Sequence, residues 1–368
     1  MPKVTSLATI DRTRIASVVA IAAVSVFIVY GPSAFAELEP DVVGEAVING
    51  EVPYRDFAFE YPPAAVPIFA APALVTDNAT TYRFVFRGLM ALSWAGLALL
   101  VARRMRQGLA SFMLASIVYA FVIDTMFDTV IAVLLLLGYI AARERHVSRS
   151  SIWLGVATVL KLAPAVLFAL LWKDRSPRTR LTVMIVGSAA LAASTLVPIA
   201  VASPGGDPIS FHRDRLLHAE STLGNAVTTA RAITGREPGI VFEHRSQGVE
   251  GLGNDWKIAS IVLLAIVLLL LSLRADTTAP GTWAAAALAV PAFGPVASPQ
   301  LFIWPLGFVG SMPRIARALY IGSGAASFIY FMVPTVRSAG ILIPSFLLLL
   351  RNVMAIGSVV TAARWSRS

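Results

Sequence analysis

Several long runs of apolar residues decide what this chain can fold into. A helix that crosses a membrane needs about 20 mostly apolar residues. Six runs of about that length occur, at 15–33, 82–102, 181–202, 257–273, 316–333 and 341–363. Four shorter runs fit thin or tilted spans, at 109–123, 125–142, 282–297 and 300–312. The pattern predicts an all-α polytopic membrane protein of about 10–12 spans, forming a single domain over residues 1–368.

The composition excludes the other broad classes. Hydrophobic residues make up 57% of the 368 residues and charged residues only 14%, whereas soluble domains carry about 45–50% and about 25%. The chain has no cysteine, so disulfides, thiol catalysis and cysteine-ligated metals are excluded. No small-residue cleavage site follows the first apolar run, so we do not expect a cleaved signal peptide there.

One apolar stretch, 151–171, is interrupted by Lys161 and Pro164 and has basic residues on both flanks. We interpret it as a broken helix or a re-entrant hairpin. A lysine inside a span costs about 2.5–3.5 kcal/mol to insert. Lys161 is therefore a candidate functional residue, with snorkelling to the interface as its alternative role.

The positive charge is concentrated in one set of loops. The N-terminus, the C-terminus and the loops 103–108, 143–150, 172–180, 274–281 and 313–317 hold 18 Lys and Arg against four acids. The rest of the chain holds 12 basic and 17 acidic residues. The positive-inside rule places the basic loops and both termini in the cytoplasm. The net charge of +9 then reflects contact with anionic lipid, and we predict no nucleic-acid partner.

Two long polar segments, 34–81 and 203–256, fall on the predicted outer side, where function is expected. The first begins with Glu37, Glu39 and Asp41 just after a span. A carboxylate at this boundary is suited to act as a general base, although a solvated loop acid is the alternative.

Other ionisable residues lie in or near the apolar runs. We interpret Asp124 and Asp128, spaced i, i+4, as loop acids, and we expect Arg351 to pair internally with an acid or with backbone carbonyls. Arg87 lies in the second span and, like Lys161, is either a functional residue or one that snorkels to the interface. Trp304 and the phenylalanines of the spans are expected to pack or to face lipid.

Four sequence elements occur in a definite order along the chain. The first outer loop carries G-x-x-P-Y-x-D-F at 50–57 and Y-P-P at 61–63, whose prolines predict an ordered extended segment. The others are G-x-A-x-x-x-K-x-x-P at 155–164, H-x-x-R-x-x-x-x-E-S at 212–221 and S-P-Q-x-x-x-W at 298–304. Together with the acid after the first span, they resemble the GT-C superfamily of membrane glycosyltransferases. The closest likeness is to the actinobacterial polyprenyl-phosphate-mannose-dependent mannosyltransferases of glycosyltransferase family 87.

The resemblance implies a GT-C-type helical bundle in the bacterial plasma membrane, with its active site on the outer face. It implies transfer of a sugar, with mannose expected, from a polyprenyl-phosphate donor to a glycolipid or glycan hydroxyl. The displacement would be single and inverting, with Asp41 as the base and Asp56 or Glu60 as alternatives. A leaving phosphate needs cations. The cations available on or near the predicted outer half are His212, Arg215, Lys161 and Arg213, with Arg337 as a further candidate. Residues expected to bind substrate or shape the loops are Tyr54, Asp56, Glu60, Tyr61, Glu220 and Gln300.

If residues 211–221 are helical, His212 and Arg215 share one face at i, i+3 spacing while Arg213 points elsewhere. The alternative is a solvated amphipathic helix at the headgroups. The sequence has no Walker A motif, nucleophile elbow or metal-ligand cluster, so we expect no metal and no cofactor.

Two other functional classes remain open at this stage. A flippase or transporter of a lipid-linked sugar would use cations inside the spans to line its path. A noncatalytic assembly subunit would tolerate replacement of Asp41. The enzyme hypothesis requires Asp41 and the cations at 212–215 to serve one outer cavity.

Overall fold

The computed structural model describes residues 12–31, 40–105, 108–173, 176–203, 208–243, 246–274, 276–333 and 342–365. The predicted residues Glu37, Glu39 and Arg337 lie outside them. The helices of the first half are α1 (Arg12–Tyr30), α2 (Pro40–Ile48), α3 (Val66–Ala73), α4 (Ala79–Arg104), α5 (Leu109–Ile123), α6 (Asp128–Arg143) and α7 (Val147–Leu160). The second half contains α8 (Pro177–Val201), α9 (Pro208–Asp214), α10 (Thr222–Ile233), α11 (Asn254–Arg274), α12 (Pro280–Phe293), α13 (Arg314–Met332) and α14 (Leu342–Trp365).

The all-α membrane fold is confirmed. Within the described part of the chain, five helices (α4, α8, α11, α13 and α14) are long and apolar enough to cross a membrane. Shorter apolar helices, including α5 and α7, stand between them. The only strands in the described ranges are β1 (Ile240–Glu243) and β2 (Ser246–Val249), which pair antiparallel with Ile240 opposite Val249.

The predicted interruption of 151–171 is also confirmed. Helix α7 ends at Leu160, Lys161 is extended, and a 3₁₀ helix follows over Ala163–Leu171 with proline in its first turn. Proline lacks an amide hydrogen and clashes with the preceding turn, which explains the break. The apolar run 300–312 is likewise not one helix but two 3₁₀ segments, Pro299–Ile303 and Leu306–Ser311.

The helix ends sort into two groups. One group contains the Arg104–Glu144 ion pair at 3.2 Å and the hydrogen bond from Arg317 to Ser111. Here Gly108 and Gly310 touch so closely that a Cβ at Gly310 would overlap the Gly108 backbone. At the opposite ends, Ser203 donates to the backbone carbonyls of Tyr54 and Arg55, and Asn225 to that of Ser345. The helix ends that contact one another are therefore those whose loops the sequence predicts to lie on the same side of the membrane.

The two long loops are ordered where the structure describes them. The first contains α2, a segment without helix over 51–62, and α3, so the predicted ordered segment without helix is confirmed. The expected extended conformation is wrong over 53–57, where the bond from the Tyr54 N–H to the Phe57 carbonyl closes a tight turn. The second contains α9, α10 and the β1–β2 hairpin. The condition that residues 211–221 form a helix is met only to Asp214, because α9 ends there and residues 215–221 form a bend and turns.

Candidate active site

Asp41 lies in the first turn of α2, where the helix dipole favours a negative charge. Its Oδ2 is 3.3 Å from a guanidinium nitrogen of Arg83 on α4. Its Oδ1 is buried and accepts no hydrogen bond from any described residue. Tyr82 fixes the start of α2, because its hydroxyl lies 2.6 Å from the Pro40 carbonyl and 2.7 Å from that of Phe69.

A cavity of about 130 Å³ opens beside this carboxylate. Its acidic lining residues are Asp41, Glu45 and Asp77, and Tyr82 forms part of its wall. The carboxylate therefore has a free oxygen beside a space that a small polar group could enter, which is what a general base requires.

The segment between α2 and α3 is held by Tyr54 and Asp56. Tyr54 has a positive φ of 72°, and its buried hydroxyl donates to the Tyr61 carbonyl at 2.7 Å. Asp56 accepts from the backbone N–H of Val52 at 2.7 Å and pairs with Arg55 at 2.8 Å. These bonds lower the pKa of Asp56 to about 2, with that from Arg55 contributing most. A carboxylate so stabilised in its charged form is a poor proton acceptor, so Asp56 fits the loop-shaping role rather than that of a base.

A row of aromatic side chains leads from Asp41 into the bundle. Tyr82 stacks on Phe86, Phe86 on Phe69, and Phe69 on Tyr61, with ring centroids 5.6–6.3 Å apart. Tyr61 in turn meets the edge of Phe127 at 5.1 Å. Offset and edge contacts at these distances are favourable, so the row forms a rigid wall beside the first long loop.

Lys161 lies at the far end of this row and is paired with Asp128. Its Nζ is 2.9 Å from both carboxylate oxygens of Asp128, and it lies 5.6 Å from the centre of the Tyr61 ring. Trp304 donates its indole N–H to the same carboxylate at 2.6 Å.

These contacts correct three expectations. Asp128 is fully buried rather than a loop acid, because its negative charge compensates the lysine at the helix break. Lys161 does not snorkel to the interface, since it has a carboxylate partner within reach. Trp304 is fully buried and does more than pack, because its N–H binds that carboxylate.

The expectation that Asp124 is a loop acid is also wrong. It is buried, and its Oδ2 lies 2.6 Å from Nε of Arg87. Arg87 also donates to the carbonyls of Ile28 and Gly31 at the end of α1. This buried ion pair anchors α1 against α4, just before the segment that leads to Asp41.

Arg215 and His212 meet at Glu60, although they do not share a helix face. Nη1 of Arg215 is 3.7 Å from the Glu60 carboxylate, and its Nε donates to Ser246 at 2.7 Å. The His212 imidazole lies against Glu60, near both its carboxylate and its backbone carbonyl. Arg213, in contrast, is exposed and pairs with its neighbour Asp214 at 2.8 Å, which agrees with the prediction that it points elsewhere.

Glu220 pairs with Arg351, as expected for that arginine. Arg351 is fully buried, and its Nη1 is 3.0 Å from the Glu220 carboxylate. Its Nη2 also donates to the Glu220 carbonyl, as does the side-chain amide of Asn352. Burial raises the pKa of Glu220, and the charge of Arg351 opposes that rise. The pair fastens α14 to the second long loop.

Two further polar residues lie nearby. Gln300 accepts a hydrogen bond from Ser298 through its side-chain oxygen at the start of the 3₁₀ segment. His218, which sequence analysis did not select, is buried, and its Nδ1 has no hydrogen-bond partner among the described residues. Burial lowers the pKa of His218, and the nearby Arg215 and Arg351 lower it further.

The predicted residues thus form two groups. Asp41 stands at one end of the aromatic row, and Glu60, Tyr61, Lys161, His212 and Arg215 gather at the other. None of the contacts described for this structure joins Asp41 directly to Glu60 or Arg215. The enzyme hypothesis required one shared cavity, but the cavity beside Asp41 is lined by none of Glu60, Lys161, His212 and Arg215. The buried aromatic row lies between the two groups, so the structure does not show the shared cavity.

Asp128, Ser246 and His218 were missed because their partners are distant in sequence. The signal that could have found Asp128 was the lysine itself, since a buried cation needs an anion. Among the described residues, no group of three or more His, Asp or Glu side chains could hold a metal ion.

The sequence model described as glycosyltransferase family 87 matches residues 59–299, more than half of the chain. The match contains the elements at 155–164 and 212–221 and the Y-P-P sequence at 61–63. It begins after Asp41 and the 50–57 element, and it ends within the 298–304 element. No curated protein matches the chain.

Proposed function

The chain belongs to glycosyltransferase family 87, a GT-C type of membrane glycosyltransferase, and from this premise we propose the finer reaction. A sugar, with mannose as the expected unit, moves from a polyprenyl-phosphate donor to a hydroxyl of a glycolipid or glycan. The reaction takes place at the outer face of a bacterial plasma membrane, with both termini in the cytoplasm. No cofactor is assigned to it.

The observation that carries the proposal is the family match on a chain built of membrane helices. A donor anchored by a polyprenyl chain is held in the bilayer, beside helices such as α4 and α8. The two ordered loops between spans supply the polar groups that a sugar and a phosphate need. The loops that carry these groups are poor in basic residues compared with the opposite side, which supports the outer face.

In the proposed step, the acceptor hydroxyl attacks the anomeric carbon of the donor sugar. The new C–O bond forms as the bond from that carbon to the phosphate oxygen breaks, and the electron pair leaves with the phosphate. The hydroxyl proton passes to Asp41, whose Oδ1 is free to accept it. A single displacement of this kind inverts the anomeric configuration.

The phosphate end of the donor is assigned to Arg215 and His212. Arg215 has terminal nitrogens that make no short contact with Glu60, so they can bind phosphate oxygens. Lys161 assists through the N–H that remains after its bonds to Asp128. Arg213 contributes least, because it is exposed and already paired.

The remaining assigned residues shape the site. Tyr54 and Asp56 hold the first loop, Tyr61 ends the aromatic row, and Glu220 holds the second loop to α14. Gln300 fixes the turn before Trp304 through its contact with Ser298.

The transporter alternative was favoured by the cations inside the spans, and these cations are paired. It required cations inside the spans to line a path for an anionic lipid. Lys161, Arg87 and Arg351 each have a carboxylate within 3.0 Å. Their charges are compensated internally, which suits a fixed scaffold better than a translocation path.

The test is sugar transfer by the purified protein in lipid vesicles, with a membrane-lipid extract as acceptor. We expect transfer from radiolabelled polyprenyl-phosphate mannose and none from a nucleotide-linked mannose. Transfer from the nucleotide donor, or transport of the labelled lipid without transfer, would contradict the proposal. Replacing mannose by other hexoses or pentoses on the same lipid determines the sugar.

A further inference from the structure

Three buried cations of the outer half each face one carboxylate, but the three pairs differ in geometry. The pairs are Lys161–Asp128, Arg351–Glu220 and Arg215–Glu60. The first two have nitrogen–oxygen distances of 2.9 and 3.0 Å, which are those of charge-assisted hydrogen bonds. The third pair is 3.7 Å apart, too far for a hydrogen bond. Arg215 and Glu60 therefore attract each other without being bonded.

The same pair is also the one that a ligand can open most easily. Arg351 has a side chain with 0% exposure, so an anion does not reach it. Lys161 and Arg215 keep 14% and 10% of their side-chain surface exposed, and Glu60 keeps 18%. An incoming anion can therefore reach both Lys161 and Arg215, but only Arg215 can change partner without losing a hydrogen bond to its carboxylate.

We propose that Glu60 is a displaceable counter-ion of Arg215. It neutralises the guanidinium while the site is empty, gives way to the donor phosphate, and returns to Arg215 as the product phosphate leaves. This inference rests on the proposed function, because it takes the donor to be a polyprenyl phosphate.

The anchoring of Arg215 shows which partner moves. Its Nε is fixed by Ser246 at 2.7 Å, and its backbone carbonyl accepts from Lys257 at 2.8 Å. Glu60 lies in the extended segment before α3. Displacing its carboxylate breaks no hydrogen bond to Arg215, although the Tyr61 side chain also lies within hydrogen-bonding reach of Glu60. Moving the guanidinium would break the bond to Ser246.

The chemistry of the product explains why such a carboxylate is useful. The donor is a phosphate diester with one negative charge, and the released polyprenyl phosphate is a monoester with about −1.5 to −2 at pH 7. The product is thus bound more strongly by Arg215 than the donor is. A carboxylate that competes for the same guanidinium offsets this difference and favours release.

The first test measures binding of a polyprenyl monophosphate to the purified full-length protein in detergent, without any acceptor. We expect Glu60→Gln to bind it roughly fivefold or more tightly than wild type, because a competing negative charge is removed. Glu60→Asp, whose carboxylate is one methylene further from Arg215, should fall between the two. The matched control is Glu51→Gln, which removes an exposed acid of the same loop and should bind like wild type.

The second test follows sugar transfer by the same variants. In Glu60→Gln, later turnovers should be slower than the first turnover of the same variant, because product accumulates on the site. Unchanged or weaker phosphate binding by Glu60→Gln would overturn the proposal. So would a collapse of the first turnover with unchanged binding, since that is the behaviour of a catalytic base.

The two failures can be told apart. If wild type transfers no sugar while Glu60→Gln still binds the phosphate more tightly, the proposed function fails and the counter-ion role stands. If wild type transfers sugar and phosphate binding is equal in the variants, only the counter-ion role fails. Should Glu60→Gln not fold, the graded change in Glu60→Asp decides the question.

Discussion

At the scale of single residues, the two arginines that flank Asp214 have opposite environments. Arg215 is nearly buried, bonded to Ser246 and close to Glu60. Arg213 is exposed and paired with its own neighbour. Charge alone does not separate them, but burial does, since a desolvated guanidinium binds phosphate far more strongly than one in water.

This difference gives a paired prediction. Arg215→Gln should lower kcat/KM for the polyprenyl-phosphate donor by about tenfold or more, because one hydrogen bond to a charged group contributes about 1.5–3 kcal/mol. Arg213→Gln should change it by less than about twofold, as expected for an exposed charge. The measurement is initial transfer rate against donor concentration. Equal losses in the two variants would contradict the assignment.

How far single residues could be predicted depends on where their partners lie. The internal pairing of Arg351 was predictable, because a cation in the last span has no other stable environment. The roles of Asp124 and Asp128 were not, since their partners, Arg87 and Lys161, are distant in sequence. From sequence alone, two acids spaced i, i+4 at a helix end are interpreted as solvated, because the cations that pair with them come from other helices.

At the scale of elements, the central feature is the break between α7 and the 3₁₀ helix at Ala163–Leu171. The sequence predicts this break from Pro164 and Lys161 alone. What stabilises it could not be predicted, because Asp128 at the start of α6 and Trp304 after another 3₁₀ segment close the gap. The break is therefore held by side chains from three separate parts of the chain.

The effects of substituting Asp128 and Lys161 on the free energy of unfolding should be coupled. Asp128→Asn leaves a mostly buried lysine without its anion, which costs about 3–5 kcal/mol in unfolding free energy. Adding Lys161→Met to that variant should recover most of the loss, since no unpaired charge remains. The measurement is unfolding in detergent for both single variants and the double variant.

Sugar transfer by the same variants provides the control for this double-mutant comparison. The double variant should regain stability without regaining wild-type sugar transfer, because the ammonium that assists the phosphate is gone. A double variant as unstable as Asp128→Asn would mean that the two residues are not coupled.

At the scale of the whole molecule, the apolar runs predict the membrane fold and most helix bounds to within a few residues. Helix α4 was predicted at 82–102 and is observed at 79–104; α13 was predicted at 316–333 and is observed at 314–332. The failures are irregular segments, 215–221 and 299–311. Their conformations depend on contacts with other loops, such as the bond from His218 N–H to the Pro295 carbonyl, rather than on local propensity.

The orientation in the membrane is tested directly because the chain has no cysteine. Asp77→Cys and Ser148→Cys place single thiols at exposed positions of opposite helix ends. In intact cells, a membrane-impermeant maleimide should label residue 77 and should label residue 148 only after permeabilisation. The reverse pattern would place the proposed active site in the cytoplasm.

The account depends most on Asp41, which lies before the residues that the family model matches. Its unpartnered buried oxygen and the adjoining cavity support its role as the base. Glu45 provides the matched control, because it lies one turn further along α2 and lines the same cavity. Changing either residue removes one negative charge from the same small space.

The most direct measurement is single-turnover transfer from polyprenyl-phosphate mannose by wild type, Asp41→Asn and Glu45→Gln, each shown to be folded by its unfolding temperature. We predict that Asp41→Asn is slower by at least about a hundredfold, the usual contribution of a general base. Glu45→Gln should stay within about threefold of wild type. Transfer by Asp41→Asn at the wild-type rate would contradict the assignment of the base.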